Sequence, residues 1–129
     1  MRERLTRGEG FFELGMFEEA WAETEELPPI DRVEPIVCEL RLRVATALEK
    51  WELGEALASV LVSSAVQPEK CRETVARFYY ARAVALCDAG ELKKARLAIR
   101  AASDALPDIR LEVIDDERLS TVLWGESSE

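Results

Sequence analysis

The sequence predicts an all-α protein built as an α-solenoid of three helical hairpins. Helix-forming residues dominate its 129 positions, which include only six glycines and five prolines. The stretch Phe78–Pro107 shows the unit most clearly. One apolar helix ends there at Gly90, and a second, with apolar residues three and four positions apart, ends at Pro107. A hairpin this apolar cannot bury its face alone, so it is expected to stack on copies of itself.

The first hairpin is predicted from two apolar stripes on either side of Gly15. A first helix is expected to end near that glycine, and a second carries Phe17, Ala20 and Trp21 on one face. The Pro28–Pro29 pair ends the second helix, because proline cannot continue the hydrogen-bond ladder. Residues 28–35 are expected to form a connector to the next hairpin.

The second hairpin follows this connector. Pro35 suits the first turn of a helix, where its missing N–H has no cost. A tight turn around Trp51 and Glu52 is predicted next, and the helix after it is expected to end at Gln67–Pro68. The run Val60–Leu61–Val62 could also form a short strand, but the helical spacing before it favours a helix.

The third hairpin and a short last helix complete the chain. A long helix over roughly residues 69–89 is expected to open the hairpin. An irregular stretch up to Ile114 is predicted after the hairpin. Asp115 or Asp116 can then cap a last helix, predicted at about residues 115–124.

The hairpins recur at a nearly constant spacing. Ala20, Ala56 and Ala95 are each predicted to be the small residue that faces the first helix, at separations of 36 and 39 residues. Gly15 and Gly90 are expected to occupy the same inter-helix turn. A period of about 34 to 40 residues with two helices per unit is typical of an α-solenoid.

With this spacing the chain resembles the tetratricopeptide repeat family. The third hairpin shows the family's motif positions best, at Tyr79, Ala83, Leu86, Gly90, Ala95, Ile99, Ala102 and Pro107. In the second hairpin Trp51 stands where the motif has its turn glycine, and Arg7, Arg43 and Arg82 replace the family's usual leucine. The resemblance implies a single right-handed solenoid domain over residues 1–129, with repeats at about 2–34, 37–70 and 71–109 and a C-terminal capping helix.

The resemblance also implies a peptide-binding groove lined by the first helix of each repeat. Carried over by residue, the predicted groove comprises Leu5, Phe12, Arg41, Ala45, Leu48, Arg77, Tyr80 and Val84. Phe12, Leu48 and Val84 could equally belong to the core, whereas Tyr80 and Arg41 are expected to be exposed in the groove. The chain contains no asparagine. The Lys, Asn and Arg clamp of the family's chaperone-binding members is therefore not expected.

Composition argues against several classes of function. A net charge of −9 disfavours nonspecific binding to nucleic acid or to an anionic membrane. The chain has no histidine, no glycine-rich phosphate loop and no metal-ligand spacing, so we expect no enzymatic activity, cofactor or metal. No apolar run approaches the 18 residues of a membrane span, and the first ten residues do not resemble a secretory signal. Three dispersed cysteines suit a reducing compartment, so a cytoplasmic location is predicted.

Charge is unevenly distributed along the chain. The stretch Gly8–Asp31 holds eight acidic residues and no basic one, whereas Lys70–Arg100 holds eight basic and three acidic residues. Such polarity can orient a partner or join copies of the chain head to tail as a homo-oligomer.

The predicted function is therefore that of a non-catalytic adaptor, which binds a peptide segment of a partner protein on its concave face. Two alternatives stay open. One is a small acidic secretion chaperone, as some three-repeat members of the family are. The other is a structural module that assembles with itself.

Overall fold

The computed structural model describes residues 1–63 and 68–126, with side chains described as far as Val122. Its regular structure within these ranges is helical throughout, which confirms the all-α prediction. The helices are α1 (Arg2–Glu13), α2 (Phe17–Glu25), α3 (Pro29–Arg32), α4 (Pro35–Ala47), α5 (Trp51–Ser63), α6 (Glu69–Asp88), α7 (Leu92–Ala105), α8 (Ile109–Asp115) and α9 (Glu117–Glu126). The helix end predicted at Gln67 lies outside the described residues.

The chain divides into two compact units. Unit 1 is Met1–Cys71 and unit 2 begins at Arg72. Unit 1 contains α1 to α5, and unit 2 contains most of α6 together with α7, α8 and α9. Each unit buries its own cluster of apolar side chains.

The core of unit 1 joins α1, α2 and α4. Its buried members are Leu5, Ala20, Leu27, Val37, Leu40 and Val44. Gly8 is also buried, and a Cβ atom at this position would lie 3.0 Å from the Leu40 side chain. The glycine therefore lets the backbone of α1 approach α4 more closely than any other residue would.

The core of unit 2 is formed by α6, α7, α8 and α9. Its buried members are Ala83, Leu86, Ala95, Ala98, Ile99, Val113, Leu119 and Val122. The prediction of an irregular stretch up to Ile114 is wrong, because residues 109–115 form α8. Ile109 and Val113, one helical turn apart, are both buried, but a helix of seven residues is too short to stand out as a periodic pattern.

Several local predictions are confirmed. Pro35 is the first residue of α4, and residues 60–62 belong to a helix rather than a strand. Asp116 caps α9, since its Oδ1 atom accepts a hydrogen bond of 3.0 Å from the backbone N–H of Arg118. The predicted connector contains a helix of its own, the four-residue α3.

The same hydrogen-bonded turn joins the two long helices of each hairpin. Gly15, Glu49 and Gly90 have positive φ angles of 76°, 56° and 78°. In each case the N–H of this residue donates to the carbonyl three positions earlier, at 3.0 to 3.2 Å. The N–H of the next residue donates to the carbonyl five positions earlier, at 2.8 to 2.9 Å. This pair of bonds is the Schellman motif, and it ends all three first helices.

These turns correct the predicted register of the second hairpin. The turn residue is Glu49, and Trp51 is the first residue of α5 rather than the turn position. The buried small residue five positions after the turn is Gly54, whereas Ala56 is exposed. In all three hairpins the residues five, nine and twelve positions after the turn are buried, namely Ala20, Thr24, Leu27; Gly54, Ala58, Leu61; and Ala95, Ile99, Ala102.

Replacing Glu49 with glycine is expected to raise the free energy of unfolding by about 1 kcal/mol, because glycine reaches the left-handed region without the steric cost that glutamate bears. Glu49→Ala is the control, since alanine removes the exposed carboxylate but keeps the Cβ. Chemical denaturation of both variants measures the difference. A Glu49→Gly variant no more stable than Glu49→Ala would contradict the expectation.

Candidate functional site

Alignment of the hairpins on their turn residues identifies the equivalent positions on the first helices. We define the first-helix strip as the residues ten, six and three positions before each turn residue. They are Leu5, Glu9 and Phe12 in the first hairpin, Glu39, Arg43 and Thr46 in the second, and Tyr80, Val84 and Cys87 in the third. The predicted groove residues of the second hairpin are Arg41, Ala45 and Leu48. Each stands two positions after a strip residue, so they lie off the strip.

Arg41 is buried against α2, so the expectation that it is exposed is wrong. Its side chain is only 8% exposed. The guanidinium donates to Thr24 Oγ1 at 2.8 Å and to Glu25 Oε1 at 3.1 Å, and its central carbon lies 4.0 Å from the centroid of the Trp21 ring. Arg41 therefore holds α4 against α2, and the error follows from the misplaced turn.

The other predicted groove residues of unit 1 differ in how accessible they are. Leu5 belongs to the core, and Ala45 is fully buried. Phe12 and Leu48 are half-buried, with one side packed against the core of unit 1. Of the residues predicted in this unit, only Phe12 and Leu48 thus keep part of their apolar surface accessible.

Arg43 links the strips of the first and second hairpins. Its Nη2 atom donates to Glu9 Oε1 at 2.7 Å and to Glu39 Oε1 at 2.8 Å. Burial disfavours the guanidinium charge, but the hydrogen bonds to these two carboxylates outweigh it and raise the pKa of Arg43. The guanidinium also lies 5.1 Å from the centroid of the Phe12 ring, within the range of a cation–π contact.

The strip of unit 1 therefore combines a neutral polar network with one aromatic surface. Lys70 Nζ lies 3.6 Å from Glu39 Oε1 and adds a second cation to the network. Phe12 packs against Phe17 with ring centroids 5.3 Å apart. Sequence reasoning treated Arg43 only as a departure from the repeat motif. Its i, i+4 spacing from Glu39 was the available signal.

In unit 2 the corresponding strip is covered by the chain's own α8 and α9. Tyr80 is half-buried, and its hydroxyl donates to Asp116 Oδ2 at 2.6 Å. Arg77, one turn before Tyr80, donates through both Nη atoms to the two oxygens of Glu112, at 2.8 and 2.6 Å. Burial, and then the Asp116 carboxylate, raise the pKa of Tyr80 to about 12.

Apolar contacts continue this interface along α6. Val84 and Cys87 pack against the core cluster that contains Leu119 and Val122 of α9. Three residues predicted in the groove, Arg77, Tyr80 and Val84, thus lie on one face of α6 and contact, or pack with, residues of α8 and α9. The last two residues of the predicted capping helix, Leu123 and Trp124, have side chains outside the described residues.

The thiols show no sign of activation. Burial raises the pKa values of Cys38, Cys71 and Cys87, which keeps each thiol protonated at neutral pH. Among the described residues, no three His, Cys, Asp or Glu side chains come together in a way that could hold a metal ion. None of the helices in residues 1–63 and 68–126 has the length and hydropathy needed to cross a membrane.

Comparison of the chain with models of protein families, with curated proteins and with solved structures finds no match.

Proposed function

We propose that this protein is a non-catalytic, cytoplasmic scaffold of the tetratricopeptide type, which binds a helical segment of a partner protein along the strip of unit 1. The observation that carries the proposal is the contact between α6 and the pair α8–α9. There, the first helix of a hairpin already holds helical segments of this chain through its strip. The three equivalent turns support extending this behaviour to the other hairpins.

The contacts in unit 2 indicate how such a segment is held. The strip and its flank supply a hydroxyl and a cation. The covering segment supplies the carboxylate of Glu112 on α8 and that of Asp116, which lies between α8 and α9. Apolar residues follow on α9 at Leu119 and Val122. The contact thus combines polar and apolar side chains from two consecutive short helices, as helix-in-groove contacts do.

The strip of unit 1 offers comparable chemistry to a segment from another chain. Phe12 supplies an aromatic surface, and Arg43 and Lys70 supply cations whose carboxylate partners, Glu9 and Glu39, are already in place. Because this network is close to neutral, we expect a partner helix with an apolar residue over Phe12 and polar residues of both charges beside it.

The test is selection of peptides from a displayed library of 16-residue sequences against the full chain. Thr46 lies on the strip and is half-buried, so Thr46→Arg places a long side chain across it. Ala22 is exposed on α2, away from the strip, so Ala22→Arg is a control with the same added charge and side chain. Selected peptides are expected to bind the Thr46→Arg variant at least about tenfold more weakly and to bind the Ala22→Arg variant like the wild type.

Circular dichroism first establishes that both variants keep the wild-type helicity. Selected peptides that bind the Thr46→Arg variant with undiminished affinity would place the binding site elsewhere. A library that yields no binding peptide would argue against the scaffold function itself.

A further inference from the structure

The structure separates the acidic stretch Gly8–Asp31 into neutralised and unpaired carboxylates. Glu9 pairs with Arg43, Glu23 with Arg4 and Arg7, and Glu25 with Arg32 and Arg41. By contrast, three glutamates around the α1–α2 turn form no ion pair with any described residue. These are Glu13, Glu18 and Glu19.

The unpaired glutamates flank exposed apolar side chains. Leu14 is 75% exposed and Met16 is 38% exposed, and both lie in the turn between Glu13 and the start of α2. We call these five residues, Glu13, Leu14, Met16, Glu18 and Glu19, the acidic corner. Isolated apolar side chains are common on protein surfaces, but here two occur together among unpaired charges of one sign.

A surface of opposite character lies in unit 2. A cleft of about 580 Å³ between α7 and α8 is lined by Lys93, Arg96, Arg100 and Arg110, and Asp104 is the one acidic residue among the described residues that line it. Lys93, Arg100 and Arg110 have no ion-pair partner in the part of the chain that the structure describes. We call this surface the basic cleft.

The basic cleft also presents apolar surface. Leu97, on the same lining, is 63% exposed, and Ile99 and Val113 contribute the buried apolar side chains behind it. Each of the two surfaces therefore combines three unpaired charges with at least one exposed aliphatic side chain.

We propose that the basic cleft binds the acidic corner of a second copy of this chain. The two surfaces match in charge, with three carboxylates facing three cations, and both supply apolar groups that the contact would remove from water. Because the surfaces are different patches, the contact is heterologous, and each bound copy presents a further free corner or cleft. The assembly therefore grows head to tail.

This self-association is independent of the proposed binding of a partner at the strip of unit 1. None of the residues of the corner or the cleft belongs to the strip. Variants of the two surfaces can therefore be tested without altering Phe12, Arg43 or Thr46.

The test is sedimentation velocity on the wild type over about 10 μM to about 1 mM, the range in which weak contacts become populated. The average mass is expected to rise with concentration. Two charge-reversed variants follow. One replaces Glu13, Glu18 and Glu19 with lysine, and the other replaces Lys93, Arg100 and Arg110 with glutamate. Each variant alone is expected to self-associate at least about tenfold more weakly than the wild type, because like charges then face each other.

An equimolar mixture of the two variants is the decisive sample. The lysine corner of one variant and the glutamate cleft of the other are again complementary, so association is expected to return on mixing. The control reverses Arg2, Arg72 and Lys94 to glutamate, which gives the same net charge as the cleft variant without touching the cleft lining. This control is expected to associate more like the wild type than like the cleft variant.

A wild type that stays monomeric over the whole concentration range would overturn the proposal. So would self-association that persists in both reversed variants, or a mixture that does not associate when each variant alone has lost association. None of these results would bear on peptide binding at the strip, so the two proposals fail independently.

Discussion

Replacing Arg41 with alanine is expected to lower the free energy of unfolding by about 3 kcal/mol. The change removes an almost fully buried guanidinium that stacks on Trp21 and donates to Glu25. Removing one member of a buried ion pair is costly, because the remaining partner keeps its charge but loses the opposite charge that compensates it. Here Glu25 is partly exposed and Thr24 already donates to the Trp21 carbonyl at 2.8 Å, so the loss lies at the lower end of the usual range.

Two further variants separate the causes of this loss. Arg41→Met keeps most of the buried volume without the charge, and we expect it to lose about 1 to 2 kcal/mol. Glu25→Gln removes only the partly exposed carboxylate, and we expect it to lose less than about 1 kcal/mol. Urea denaturation followed by circular dichroism gives all three values. An Arg41→Ala variant as stable as the wild type would show that the arginine does not hold α4 against α2.

Replacing Tyr80 with phenylalanine is expected to cost about 1 to 2 kcal/mol, because it removes the hydrogen bond to the Asp116 carboxylate and leaves the ring in place. The same carboxylate accepts from Arg118 and caps α9, so it keeps its other partners in the variant. The loss therefore measures the contribution of one bond that holds α8 and α9 against α6.

The contribution of Tyr80 depends on pH in a defined direction. Its pKa in the folded protein, about 12, is above the usual value of about 10, so folding favours the neutral phenol. The stabilisation is fully present below pH 10 and is lost as the pH rises from about 10 through about 12. The difference in stability between the wild type and the Tyr80→Phe variant is expected to shrink over this interval.

Absorbance titration of the phenolate gives an independent measurement. The chain has two tyrosines, Tyr79 and Tyr80, so a Tyr79→Phe background isolates the second. Adding Asp116→Asn removes the carboxylate that disfavours ionisation, and the pKa of Tyr80 is expected to fall towards 10. If Tyr80 titrates near 10 with Asp116 intact, the hydrogen bond between them does not form in solution.

Much of the helical pattern could be predicted from the sequence, because proline, glycine and apolar periodicity are local signals. Pro35 placed the start of α4, and Gly15 and Gly90 placed two of the three turns. The turn of the second hairpin was misplaced, because Glu49 adopts a backbone conformation that sequence preferences reserve for glycine. The Schellman turn at the end of α4 requires that conformation, and no single-residue preference places such a turn at a glutamate.

This displacement of two residues had a large effect on the predicted site. On a helix, two positions correspond to a rotation of about 200°, which carries a residue to the opposite face. Arg41 and Ala45 were therefore expected in a groove and are buried instead, whereas Arg43 was overlooked. The contact between α6 and the last two helices was also beyond sequence reasoning, since it depends on pairs 35 and 36 residues apart.

The closed turns of the hairpins have a consequence for how quickly the chain folds. Each turn ties together backbone groups no more than five residues apart, and the side-chain hydrogen bonds of Arg43 to Glu9 and of Tyr80 to Asp116 span only 34 and 36 positions. Loops this short close with little loss of chain entropy, so native contacts form early in the search. We therefore expect refolding in milliseconds or less, even though the three cysteines are free and no disulfide restricts the unfolded chain.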